Sequence, residues 1–93
     1  MEHLEISASI RIEKQKEFNQ SKLSFLDDLQ QFEGFNGYSE NPGPDFQLTL
    51  YWDHRSNLEI FLQSELYQIF HGAIITLGRI NEILIKSEIQ TDF

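Results

Sequence analysis

Apolar and polar residues alternate from the start of the chain. Leu4, Ile6, Ala8, Ile10 and Ile12 interleave with His3, Glu5, Ser7, Ser9 and Arg11, and strict period two marks a strand with one apolar face. The period then becomes helical. Phe18, Lys22, Phe25, Leu29 and Phe32 recur on one stripe with Leu26 beside them, which predicts a first helix over 15–32 ended by Gly34. Lys22 interrupts that stripe, but its aliphatic stem can lie along apolar surface. Phe35-Asn36-Gly37-Tyr38-Ser39 reads as a short second strand. Asn41-Pro42-Gly43-Pro44 is a turn, because two prolines and a glycine suit neither helix nor central strand. Phe46, Leu48, Leu50 and Trp52 then alternate with Gln47, Thr49 and Tyr51, a third strand antiparallel to the second.

The strand ending in Trp52 places a large aromatic at the lip of whatever space separates sheet and helix. After a polar turn, Ser56-Asn57-Leu58-Glu59 has the pattern of a capping box. The helix it opens carries Leu58, Leu62, Leu66, Ile69, Phe70, Ala73 and Leu77 on one stripe, with a second cap signal at Ser64 and Gly78 as its stop. Ile83, Ile85 and Ile89 form one face of a fourth strand, with Leu84, Lys86 and Glu88 on the other. The order is β-α-β-β-α-β, an α+β, ferredoxin-like arrangement: a four-stranded antiparallel sheet with both helices on one face. The other face is left uncovered, with Ser7, Ser9, Arg11, Gln47, Thr49 and Tyr51 as its expected residues. Residues 1–93 make one domain. A chain of this size buries roughly 60–70% of its unfolded surface, so a homodimer packing two sheets face to face is expected.

Hydrophobic residues make up 40% of the chain and aromatics 13%, eight of them Phe, which excludes a disordered chain. Lys and Arg number 7 against 15 Asp and Glu, a net charge of −8. Nucleic acids and anionic membrane surfaces are therefore poor partners. Cysteine is absent, which removes disulfides and thiolate chemistry and suits a reducing compartment. The N-terminus lacks the basic start and apolar run of a secretion signal, so a cytoplasmic location is expected.

With these elements placed, the chain resembles the antibiotic biosynthesis monooxygenase (ABM) family of dimeric α+β barrels. The resemblance rests on the apolar first strand followed by Glu13-Lys14-Gln15-Lys16-Glu17-Phe18, on Gly34-Phe35-Asn36-Gly37-Tyr38, and on Leu48-Thr49-Leu50-Tyr51-Trp52 followed by Ser56, Ser64, Tyr67 and Phe70. It spans roughly Ile6 to Leu84. It implies a homodimer with a pocket between helices and sheet in each subunit. It also implies, for one branch, oxidation of quinols or anthrones by dioxygen without metal or flavin. There the substrate supplies the electrons, while the protein desolvates it, helps remove a proton and stabilises the anion. A second branch binds and degrades haem, and other relatives have no demonstrated activity.

The chain departs from both active patterns. The position four before Trp52, an Asn in the oxidising branch, is Leu48. The Tyr early in the next helix corresponds to Leu58, and the later Arg falls near Gly72. In the haem branch a Trp and a His lie ten residues apart; here Phe61 and His71 keep that spacing without the Trp. On a helical wheel His71 lies about 140° from Leu66, outside the apolar stripe and beside Tyr67 and Ile75.

The candidate catalytic residues are thus His71 and Trp52, and the candidate substrate-binding residues are Trp52, Tyr67, Phe61, His54 and Asn57. Each also has a plain structural role: Trp52 as core, His71 as a surface residue near the dimer seam, His54 and Asn57 as solvated turn residues. No His pair has metal-ligand spacing, no two carboxylates are set for acid–base work and no Gly-rich phosphate loop is present, so no metal is expected. Two functions stay open. One is a cofactor-independent monooxygenase of an electron-rich aromatic. The other is a non-catalytic dimeric module that binds an apolar small molecule or haem.

Overall fold

In the computed structural model, which describes residues 1–41 and 43–87, the alternating N-terminal segment is β1 (Glu2–Ile10), with Leu4, Ile6 and Ala8 buried. A short turn leads into α1 (Gln15–Leu29), which buries Phe18, Phe25, Leu26 and Leu29. β2 (Phe35–Asn41) and β3 (Phe46–Trp52) follow, then α2 (Arg55–Leu62), α3 (Glu65–Leu77) and β4 (Gly78–Ser87). The sheet order is β2-β3-β1-β4 and every pair is antiparallel. This is the predicted ferredoxin-like α+β layer. Its inner face and the helices share one buried cluster that includes Trp52, Phe61 and Phe70. Among the described residues, no helix is long and apolar enough to cross a membrane.

Several local expectations shift. The first strand ends at Ile10, and Ile12, placed by periodicity on its apolar face, is 89% exposed. The chain turns away because the Arg11 amide donates to the Leu77 carbonyl at 3.0 Å and the Arg11 guanidinium to the Thr76 carbonyl at 2.7 Å. Arg11 therefore ties down the end of α3 instead of joining the open sheet face. The first helix stops at Leu29, and Phe32 sits in the turn beyond it, held by its amide to the Leu29 carbonyl.

The single helix expected after Trp52 is two helices. Gln63 and Ser64 interrupt it, with Ser64 extended at ψ 155° and its hydroxyl accepting from the Tyr67 amide while donating to the Phe61 carbonyl. A serine N-cap of this kind is worth about 1 kcal/mol. The break resets the helical phase. Phe61 becomes fully buried on α2, Phe70, Ile74 and Leu77 form the buried stripe of α3, and Ile69 turns out to solvent at 63% exposure. The capping box at Ser56 does not form. His54 is the extended residue before α2, and its carbonyl accepts from the Asn57 and Leu58 amides.

β4 starts at Gly78 with no intervening loop. A bulge opposite Ser7 and Ala8 skips Asn81, so Ile80 pairs with Ala8 and Ile83 with Ile6, and both pack on the core. Ile85 lies opposite Leu4 but remains 40% exposed at the sheet edge, and Ile89 lies outside the described residues. The face away from the helices carries Ser7 opposite Gln47, Glu5 opposite Thr49 and His3 opposite Tyr51, with Leu84 beside Glu5.

Candidate functional site

Trp52 closes β3, opposite Phe35 of β2 and Glu2 of β1. Its side chain is fully covered. Phe61 lies 4.9 Å away, Phe35 5.3 Å and Phe32 6.3 Å, measured between ring centroids. The lip expected of this residue is therefore roofed by aromatic rings from three different elements. Phe25 stacks on Phe70 at 4.0 Å with an interplanar angle of 2°, and Phe18 packs on Phe46 at 4.8 Å. The space between helices and sheet is thus occupied by the chain's own side chains.

One polar atom is stranded in this aromatic enclosure. The indole Nε1 of Trp52 is buried and has no hydrogen-bond acceptor among the described residues. Buried donors are almost always paired, and leaving one unmade costs about 1–3 kcal/mol. A donor held dry among aromatic rings is suited to an acceptor oxygen on a flat apolar molecule.

From Trp52 a row of rings leads outward. Phe61 touches Trp52, Tyr67 lies 5.3 Å from Phe61, and His71 lies 5.8 Å from Tyr67. Ser64 sets this geometry, since capping α3 there places Tyr67 in its first turn and His71 one turn later. His71 is half-buried, so it is neither a free surface histidine nor in contact with Trp52. On the side facing Trp52, Tyr67 and the buried Phe61 occupy the space a haem macrocycle ligated by His71 would need. Among the described residues, no three His, Cys, Asp or Glu side chains converge as metal ligands.

Burial raises the pKa of the Tyr67 phenol above its ordinary 10.0, so it stays a hydrogen-bond donor across neutral pH. As pH rises past that value the unfolded chain loses this proton first. The folded state then binds more protons than the unfolded one, and stability falls. Urea midpoints between about pH 9 and 11 should therefore drop more steeply for the natural chain than for Tyr67→Phe, with the two profiles parallel below about pH 9. Parallel profiles throughout would show that the phenol is not desolvated.

His54 and Asn57 separate. His54 is exposed before α2. Asn57 instead packs on Gly34, where φ is +81° and any β-carbon would collide with the Asn57 side chain. Asn57 also lines an outer cleft of about 430 Å³ with Asp28, Gln31, Phe32, Glu33, Ile60 and Leu66. Periodicity predicts Phe32 in a helix stripe and Gly34 as the helix stop. Neither periodicity nor propensity signals that a glycine and an asparagine twenty-three positions apart (57 minus 34) meet.

The fold is shared with solved structures of low sequence identity. One, described as an antibiotic biosynthesis monooxygenase, is 14% identical with a TM-score of 0.82, covering 97% of this chain and 100% of that one. Another is a variant of SnoaB, a cofactor-independent oxygenase from Streptomyces nogalater, at 12% identity and a TM-score of 0.82, covering 97% and 94%. A conserved protein from Methanosarcina mazei Go1 is 15% identical with a TM-score of 0.78, covering 91% and 87%. No protein-family model and no curated protein sequence matches the chain. The resemblance read from the sequence thus holds at the level of the fold, which is the ferredoxin-like α+β fold of the ABM structures.

Proposed function

We propose that this protein is a cofactor-independent monooxygenase that oxidises a small electron-rich aromatic, quinol- or anthrone-like, with dioxygen, and that it works as a homodimer. The observation that carries the reading is the unpaired indole N–H of Trp52 inside an enclosure of Phe32, Phe35 and Phe61. In this reading the substrate takes its place against Trp52 by displacing the half-buried Phe32 ring, and the remaining aromatic walls exclude water. Trp52 donates to the oxygen on which charge develops as the substrate loses a proton. The base of this reading is His71, which takes the proton from a substrate long enough to reach from Trp52 past Phe61 to the Tyr67 end of the row of rings. The substrate anion then passes electrons to dioxygen. For an anthrone-like methylene the balance is CH₂ + O₂ → C=O + H₂O, one oxygen atom entering the product and the other leaving as water. The sheet face away from the helices supports pairing of two copies: it carries Tyr51, Thr49, Gln47 and Leu84, and its Glu5 and Lys86 neutralise each other at 3.0 Å.

A second reading, a module that binds an aromatic without oxidising it, is favoured by a specific observation. Leu48 and Leu58, at the positions the resemblance assigns to Asn and Tyr, are both buried and bring no polar group to the site. Oxygen uptake with a panel of hydroquinones and anthrones separates the two. The enzyme reading expects uptake above buffer, one labelled atom from labelled dioxygen in the product, and a fall of about tenfold or more in Trp52→Phe, which removes the donor. Saturable ligand binding with no uptake selects the binding module. Full activity in Trp52→Phe removes the indole from the mechanism.

A further inference from the structure

Trp52 is fully covered by rings packed directly on it, and a cleft lies immediately outside them. Phe32 separates the two. Its ring stands edge-on to Trp52 at 6.3 Å and 89° and to Phe61 at 5.6 Å and 89°, and the same side chain lines the outer cleft of about 430 Å³. We propose that Phe32 is a side-chain gate: its rotation into this cleft joins the cleft to Trp52, and the acidic rim then admits uncharged aromatics and rejects anionic ones. This rests on the function proposed above and adds the access route and the charge class of the ligand.

The backbone on either side of Phe32 is fixed, so the moving part is the side chain. Leu29 is fully buried and its carbonyl accepts from the Phe32 amide at 3.0 Å. On the other side the Gly34 carbonyl accepts from the Asp53 amide at 2.8 Å, and Gly34 is clasped against Asn57. The Phe32 ring itself is only half-buried, unlike the fully covered Trp52 and Phe61 behind it. Rotamer changes of a partly exposed ring are fast and cheap compared with loop movement. The cleft beyond has the volume to receive the ring. Ile60 and Leu66 also line it, so a swung-out phenyl group meets hydrophobic surface.

Charge decides what passes. Asp28 and Glu33 line this cleft, and no Lys or Arg does. An anionic ligand must approach two carboxylates within a Debye length of about 8–10 Å, where their repulsion is poorly screened. A neutral phenol, quinol or quinone meets no such barrier.

Trp52 is the only tryptophan, so its fluorescence reports directly on the site. Stopped-flow quenching with menadione, an uncharged naphthoquinone, and with naphthoquinone sulfonate, an anionic one, tests the proposal in the natural chain, Phe32→Leu and Phe32→Ala, each checked for folding by circular dichroism. Saturable quenching by menadione is expected, with an association rate that rises severalfold or more in both Phe32 variants. The sulfonate should bind about tenfold more weakly, and Asp28→Asn with Glu33→Gln should close most of that gap. Unchanged association rates in both folded Phe32 variants, with menadione still bound, would overturn the gate and leave the proposed function standing. Equal affinity for the two ligands in the natural chain would overturn the charge selection. No saturable quenching in any of the three chains would overturn both the gate and the binding site it serves.

Discussion

Trp52→Ala is expected to remove about 3–5 kcal/mol of stability, a large part of what a domain of this size possesses. The indole is fully covered, and its neighbours come from the turn after α1, from β2 and from α2. Truncation leaves a cavity bounded by three rings on three elements. Those elements cannot collapse together without disturbing the β3 ladder. Trp52→Phe should behave quite differently. It keeps an aromatic body in the enclosure and removes the unpaired donor, whose burial is itself unfavourable, so the lost volume is largely offset and the net change should stay within about 1 kcal/mol. Urea denaturation of both variants measures this. A Trp52→Phe chain as unstable as Trp52→Ala would mean that the N–H is satisfied in solution and is not free to receive a ligand oxygen.

Gly78→Ala is the second large effect. Gly78 is where α3 passes straight into β4, and its φ of −171° is ordinary extended backbone that any residue adopts. Glycine is required there by proximity. A β-carbon would overlap the Ser9 carbonyl oxygen and lie 2.8 Å from the Ile10 α-carbon. Both are backbone atoms, and Gly78 pairs with Ile10 in the β1–β4 ladder, so neither side can give way as a flexible side chain would. Overpacking of this severity should cost on the order of 3 kcal/mol. For a domain of this length each kcal/mol shifts Tm by roughly 4–8 °C.

Gly72→Ala is the matched control. Gly72 lies inside α3 with nothing within 4 Å of the added carbon, so the substitution should stabilise by about 0.5–1 kcal/mol through helix propensity. Opposite signs for two glycines six positions apart (78 minus 72) would confirm that the junction is limited by contact between backbones. A neutral Gly78→Ala would show that β1 and β4 are further apart than described.

The period-two pattern of β1 and β3 determined which of their residues face the helices. Leu4, Ile6, Ala8, Leu48, Leu50 and Trp52 are all buried. It could do so because a strand's alternation is a local property of the backbone. The spacing of Phe18, Phe25 and Leu29 likewise determined the inner face of α1, and Ser64 was legible as a cap because its bonds reach only three residues either way. The order of these elements sufficed for the ferredoxin-like layer.

What only the tertiary structure decided depends on contacts between distant segments. The break at Gln63 and Ser64 rotates α3, burying Ile74 and exposing Ile69, and a stripe drawn through one continuous helix cannot register that change of phase. The bulge beside Ala8 brings Ile80 and Ile83 to the same face although three positions separate them. Arg11 leaves the open sheet face because carbonyls at the end of α3 accept its donors. The sequence marked Trp52, Phe61, Tyr67 and His71 as candidates, but only packing made them a row of rings leading out from a sealed, unpaired N–H. Periodicity tells which way a residue points from its own element; what it meets there is set by the elements opposite.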